Sequence, residues 1–330
     1  MHPTLIIPQS LLRKLLNMEN ALEVVEEAYR FYGEGRAEMP PHLFMHLAEG
    51  DMTSRAAWLP DLGFACMKNT TYFSGNHELH PLLATLMLIC PETGYPFASM
   101  DATYMTRIAT GAAGGIASRY LARTDAKVAG FIGAGAQARA QLEALVATCP
   151  NIEKALVYDE NIEQSEIFIS RHVDGSGLDG DAAMSAEAVA RGSDILTTLT
   201  PSRQPVVKAE WIRPGTHINA IGADAPGKQE LEPELLAQAR LVVDSWEHAA
   251  ECGEINVPLN QGLINLENFA ADLGEIITGK KPGRENDEQI TIFDSSGLAI
   301  QDLACAVWAY QRLTNNPKEF KKAPSLQLLD

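Results

Sequence analysis

The sequence predicts an α/β chain of two domains, one a doubly wound parallel sheet and the other a mixed, largely antiparallel α+β domain. Three observations predict it. From Lys127 onward, short apolar runs alternate with helical stretches, the rhythm of a parallel sheet with crossover helices. From Met39 to Tyr104, short strands follow one another with only turns between them. Between Lys127 and Glu143, KVAGFIGAGAQARAQLE joins a buried strand to a helix through a glycine turn.

In chain order, the first strand is Leu5 to Ile7. Ser10 is expected to cap a helix over LLRKLL, and Asn17 or Asn20 to start a second helix that Gly33 ends. In that second helix Leu22, Val25, Ala28, Tyr29 and Tyr32 recur at three- and four-residue steps, which marks one buried face. The strands HLFMHL, RAAWLP, FACMKNTTY, LATLMLIC and FASMDATY follow, separated by turn residues such as PETG. A Gly- and Ala-rich helix is expected from about Thr110 to Ala122, its small side chains suited to close packing against a neighbour or a ligand.

Val128 to Ile132 is short enough for a parallel strand, and Gly133, Gly135 and Ala138 then form G-x-G-x-x-A. The first glycine permits a tight turn, the second lets a pyrophosphate approach the backbone, and the small third residue lets helix and strand pack closely. The helix that follows offers free N–H groups and a positive dipole end to phosphates. A second strand, Ala155 to Tyr158, ends at Asp159, 26 residues beyond Gly133 and near where an acidic residue meets an adenosine ribose. A carboxylate there accepts from both ribose hydroxyls and repels a 2′-phosphate, so the expected cofactor is NAD on a Rossmann-type domain.

A weak strand at Ala182 to Met184, then DILTTLT, THINAIGA, LVVDS and ITIFDSSG, complete the parallel sheet. Leu298 to Leu313 reads as a helix returning to the first domain. The expected division is residues 1–124 with 298–330 for substrate binding and dimerisation, and 125–297 for the dinucleotide. The tail from Asn315 is either a loose arm or a packed extension.

Composition narrows the function. A chain of 330 residues suggests about two domains, and 46% hydrophobic residues supply ample core. A net charge of −17 argues against nucleic acid and anionic membrane as partners. The five cysteines, Cys66, Cys90, Cys149, Cys252 and Cys305, are odd in number and widely spaced, as reduced thiols of a cytoplasmic protein are. The N-terminus MHPTLIIPQS lacks a basic segment followed by a long apolar core, which also points to the cytoplasm. His77 and His80 stand three apart without a companion cysteine or carboxylate, so no metal is expected. The absence of G-x-S-x-G and S-x-x-K leaves a serine hydrolase without support.

Several residues are placed for chemistry. Lys68 lies inside the apolar strand FACMKNTTY, where a charge faces a cleft or a partner, or else water from an edge strand. Facing a cleft, it suits the role of acid, base or carboxylate anchor. Arg55, before AAWLP, offers a bidentate fork to a carboxylate, or else a surface ion pair. Asp224, in NAIGADAPGKQEL, follows the carboxyl end of a sheet strand, where open α/β sheets place ligands; capping the next helix is the alternative. Thr197 and Thr200 sit where a loop runs along the cofactor, and Ser295, in the turn after ITIFD, is expected near the nicotinamide. Thr110, Ala136, Gln137 and Ile221 complete the expected cofactor contacts, beside Gly133, Gly135, Ala138 and Asp159.

KNTTYFSGN, PETGYPFASMDATY, TGAAGGIASRYLAR, GFIGAGAQA, TPSRQPVVKAEWIRPGTHINAIGADAPGKQEL, GEINV and ITIFDSSGLAIQD, in this order, resemble the ornithine cyclodeaminase and mu-crystallin family, and within it the archaeal-type alanine dehydrogenases. The resemblance covers nearly the whole chain. It implies Lys68 as the catalytic lysine, Asp224 as the catalytic aspartate and Arg55 as a binder of the substrate carboxylate, together with Lys68. It also implies a homodimer built through the mixed sheet domain, with the active site between domains. Where the family usually carries an arginine before TGAAGG this chain has Ala109; Arg107 and His42 are the other basic candidates for substrate contact. The implied reaction is NAD-dependent oxidative deamination of a small L-amino acid, alanine first, through an imine to an oxo acid and ammonia. The family's alternatives are ornithine cyclodeamination to proline, reduction of cyclic imino acids, and ligand binding without turnover.

Overall fold

The structure, a computed structural model, describes residues 3–76 and 78–328, so His77 lies outside the described residues. The chain divides into two compact units, Met1–Ala109 with Leu298–Asp330, and Thr110–Gly297.

The first unit is built on strands β1 (Thr4–Ile7), β2 (Leu43–His46), β3 (Asp51–Leu59), β4 (Phe64–Tyr72), β5 (Leu82–Ile89) and β6 (Pro96–Asp101). Its sheet runs Ser325–Leu326, β1, β6, β5, β4, β3, β2. Neighbours from β2 to β6 are antiparallel, and β1 joins β6 in parallel. The tail is a packed extension at Ser325–Leu326, which pairs antiparallel with β1. Strand alternation sorts the side chains. Ala57, Leu59, Cys66, Lys68, Ala84, Leu86, Leu88, Ala98 and Met100 are buried on one face. That face is covered by the Ala299–Thr314 helix, lying on β3, β4 and β5, with the Met18–Gly33 helix packed against it. Asn17 starts the latter helix, its side chain accepting from Asn20 N at 3.0 Å. Leu22, Val25, Ala28 and Tyr29 are its buried stripe, while Tyr32 is half-buried.

The second unit holds β7 (Val128–Ile132), β8 (Lys154–Tyr158), β9 (Asp179–Ala182), β10 (Ile195–Thr198), β11 (His217–Ala220), β12 (Arg240–Val243), β13 (Phe269–Asp272) and β14 (Thr291–Asp294). They form one sheet in the order β13, β12, β14, β11, β10, β7, β8, β9, every neighbour parallel. The chain winds outward from β7 through β8 to β9, then crosses back to lay β10 on the other side of β7. That reversal opens a crevice at the carboxyl ends of β7 and β10, where doubly wound sheets bind ligands. β10, β11 and β14 are buried along their whole length, so burial falls on every residue of these strands rather than on alternate ones.

Three sequence expectations are corrected. The first helix is Gln9–Leu15, with Pro8 rather than Ser10 as its N-cap: the fixed proline φ suits the entry, and the Pro8 carbonyl accepts from Leu11 and Leu12 N. The small-residue helix begins at Thr103, not Thr110, because Asp101 ends β6 and accepts the Tyr104 N–H at 3.1 Å, capping the helix. β9 occupies Asp179–Ala182 rather than Ala182–Met184, with Gly180 where a Cβ would meet Ile169 Cγ2 at 2.7 Å. β13 was not anticipated, since FAAD is too short to carry a pattern.

Candidate active site

The glycine turn is placed by β7. Gly133 has φ +100°, and a Cβ there would meet the Leu199 carbonyl at 3.1 Å, so the turn lies directly on the loop leaving β10. Gly135 is the N-cap of the Ala136–Thr148 helix and is open on the side a Cβ would occupy; no side chain caps this helix. The first N–H groups of the helix are therefore presented at an exposed Gly135–Ala136 corner, while Ala138 is fully buried against the sheet. Asp159, at the end of β8, accepts Ala134 N at 2.9 Å on one oxygen and Asn161 N at 3.0 Å on the other. A carboxylate has about four acceptor positions, so each oxygen keeps one for a ribose hydroxyl.

Along the carboxyl half of the sheet, from this helix across to β14, buried polar atoms have no hydrogen-bond partner among the described residues: Gln137 Oε1 on the helix, Thr197 Oγ1 on β10 and Ser295 Oγ just past β14. Such groups are costly to bury unless something completes them. They fit a polar, elongated ligand laid over the carboxyl ends of the strands, as a dinucleotide is. Thr110 is held from the same unit, its carbonyl accepting Gln141 Nε2 at 3.0 Å, and Ile221 is buried at the start of the loop after β11.

That loop carries Asp224, which is more than half exposed and ion-paired with Lys228. Its backbone is not loose. Glu230, fully buried, accepts Thr200 N at 2.6 Å and Gly222 N at 2.9 Å, and so ties the loop after β10 to the loop after β11. A Cβ at Gly222 would meet the Thr200 carbonyl oxygen at 2.3 Å, which leaves no room for a side chain. Behind Glu230, Glu254 accepts the Glu230 and Leu231 N–H groups, and Asp294 accepts those of Glu254 and Ile255. Asp244 takes the Ser296 hydroxyl at 2.7 Å and Gly297 N at 2.6 Å. Backbone N–H groups offset these charges only in part. Burial raises Glu230; burial, then the nearby Glu230 charge, lifts Glu254 well above the usual carboxylate range; burial pushes Asp294 up to about 8.

In the first unit, Arg55 on β3 lies directly opposite Lys68 on β4, so both point to the same face of the sheet. β4 is an interior strand, which removes the edge-strand alternative for Lys68. Lys68 is 5% exposed, and its Nζ donates to Asp302 Oδ2 at 2.7 Å. Arg107 is helical, and its Nη2 donates to His80 Nε2 at 2.8 Å. Ala109 is buried and sits about 200° around the helix from Arg107. His42, just before β2, is half-buried with an inward Nδ1. Thus Lys68 and Arg55 are brought together, and Asp224 belongs to the other unit with Gly133, Gly135, Asp159, Thr197 and Thr200.

The model of the ornithine cyclodeaminase/mu-crystallin family matches residues 4–316. The chain belongs to that family. Among its relatives is an alanine dehydrogenase of Archaeoglobus fulgidus, 48% identical over 310 residues that cover 93% of this chain and 94% of the relative. Among solved structures, an archaeal alanine dehydrogenase dimer with bound NAD superposes with a TM-score of 0.94 at 45% identity, covering 99% of this chain and 100% of that one. A Thermococcus litoralis Δ1-pyrroline-2-carboxylate reductase, solved with NADH and L-proline, gives 0.91 at 38% identity, over 94% and 98%.

In this member of the family, sequence reasoning overlooked two groups. Asp302 is one: the only charged residue in the run LAIQDLACAV, apolar but for Gln301 beside it, is a charge on a buried helix face, and the run carries that signal. Glu230 is the other, and KQELEP carries no such signal, because its acids look like an ordinary solvated turn. Among the described residues no group of three His, Cys, Asp or Glu side chains is arranged to hold a metal ion, and no helix is long and apolar enough to cross a membrane.

Proposed function

We propose that this chain is an NAD-dependent amino-acid dehydrogenase that converts L-alanine, through an imine, to an oxo acid and ammonia. One observation carries the choice of reaction: 48% identity to the Archaeoglobus fulgidus alanine dehydrogenase along nearly the whole of both chains. The geometry supports it. The glycine turn, the uncapped helix start and the unpartnered Gln137, Thr197 and Ser295 atoms fit NAD, and Asp159 favours it over the 2′-phosphorylated form. When bound, the nicotinamide supplies the hydride acceptor.

The protein's part is binding, orientation and proton handling. Arg55 and Lys68, side by side on one sheet face, take the substrate carboxylate, and Lys68 polarises the reacting centre. Asp224, exposed and hydrogen-bonded to Lys228, takes a proton from the amine or from the attacking water. Thr200 and Ile221 flank the cofactor path through loops that Glu230 holds together. The first unit is the substrate-binding and dimerisation domain. Its sheet leaves Leu43, Met45, Trp58, Met67, Leu83 and Met87 more than a third exposed, all on the face opposite Lys68, and an apolar surface of this kind suits a second copy of the chain. Five thiols without a disulfide suit the cytoplasm.

The test is nicotinamide absorbance over time with NAD and, in parallel, L-alanine and L-ornithine. Net NADH from alanine supports the dehydrogenase. Proline and ammonia from ornithine without net NADH refute it in favour of cyclodeamination. The pyrroline-2-carboxylate reductase likeness favours a second reading, cyclic imino-acid reduction, which NADH consumption with pyrroline-2-carboxylate alone would establish. Replacing Lys68 by Ala is expected to abolish turnover with NADH binding nearly intact; retained turnover would remove Lys68 from its role.

A further inference from the structure

We propose that Asp302 is a positioning residue for Lys68, holding the ammonium in the one direction from which it meets the substrate. The inference rests on the reading of Lys68 as the catalytic lysine. Asp302 lies in the first turn of the Ala299–Thr314 helix, the element that covers β3, β4 and β5, so its carboxylate reaches Lys68 from a rigid support rather than from a loop. The contact is 2.7 Å, and both side chains are 6% exposed.

Three features make this more than a structural ion pair. A lysine ammonium has three donors on a flexible four-carbon stem, and tying one to a fixed carboxylate sets the direction of the other two. Arg55 stands directly opposite Lys68, so two cations lie on one face of the sheet, and the Asp302 carboxylate sets a negative charge against the Lys68 member of the pair. Finally, Asp302 Oδ1 is buried and has no partner among the described residues. A pair kept only for stability would satisfy both oxygens, or would be replaced by apolar groups at little cost. Here one oxygen is committed to Lys68 at 2.7 Å, and the other is left incompletely paired beside it.

The test uses the full-length protein in two measurements. Asp302→Asn keeps the shape and removes the charge. Turnover with alanine, expressed per NADH-titrated site, is expected to fall about 100-fold, as for a misdirected catalytic group, while NADH affinity stays within about twofold. Turnover per site within about threefold of wild type would overturn the proposal. Thermal unfolding supplies a readout independent of activity. Asp302→Asn should lower Tm by about 6 °C or more, and adding Lys68→Met should restore most of the loss, because the second change removes the uncompensated ammonium. Additive losses would show that the two groups do not act as a pair, and would also overturn it. A wild type that yields no NADH, with Tm changes that still couple, refutes the dehydrogenase reading and leaves the Asp302–Lys68 pairing standing.

Discussion

Glu230→Gln tests whether one buried carboxylate joins the two loops on which the second unit's candidate site depends. The carboxylate accepts Thr200 N at 2.6 Å and Gly222 N at 2.9 Å. Glutamine keeps one acceptor oxygen and turns an NH2 group toward the other N–H, so one of the two bonds is lost and two donors face each other. A buried hydrogen bond to a charged group contributes about 1.5–3 kcal/mol. Against that loss, the substitution removes a charge that burial disfavours and that raises Glu254, which returns about 1 kcal/mol. The expected net cost is about 0.5–2 kcal/mol, a Tm lowered by roughly 1–8 °C in a unit of this size. Because Leu199, next to Thr200, abuts the Gly133 turn and Gly222 leads to Asp224, kcat/KM for alanine should fall about tenfold as well. Scanning calorimetry and steady-state kinetics on the same preparation measure both. A Tm within about 1 °C of wild type, with unchanged kcat/KM, would show that the bracket holds nothing and refute the argument.

Three further outcomes are expected. Asp159→Asn removes the charge that disfavours a 2′-phosphate, worth roughly 1–2 kcal/mol near the surface, so the NADH-to-NADPH affinity ratio should drop about tenfold by fluorescence titration; an unchanged ratio would take cofactor choice away from Asp159. Burial raises the Asp294 carboxyl from 3.8 to about 8, so the folded chain binds this proton more tightly than the unfolded chain does. Stability should therefore decline as pH rises from about 4 to 8, and Asp294→Asn should flatten the decline in thermal unfolding series; equal slopes would contradict it. Met67→Glu places a charge in the middle of the exposed apolar sheet face and should yield monomers by sedimentation velocity, whereas an unchanged dimer would move the interface elsewhere.

What the sequence determined by itself is local. The glycine turn, the strand before it and the helix after it are specified within Lys127 to Glu143, because conformational freedom at Gly133 and smallness at Ala138 are properties of those residues alone. The antiparallel strands were legible as short runs set off by turn residues, but FACMKNTTY left Lys68 facing either a cleft or water until strand order placed β4 in the sheet interior. Helix starts were less legible at Ser10 and Thr110, where a proline and a preceding aspartate competed to cap. Only the tertiary structure decided who partners whom. Asp302 is 234 residues from Lys68, and nothing local at either position names the other. Glu230 acquires its role because β10 and β11 lie side by side, which turns an acid in a polar turn into a fully buried bracket. Pairing at such separations depends on strand order and register, and these are set by the packing of the whole unit rather than by any stretch of chain.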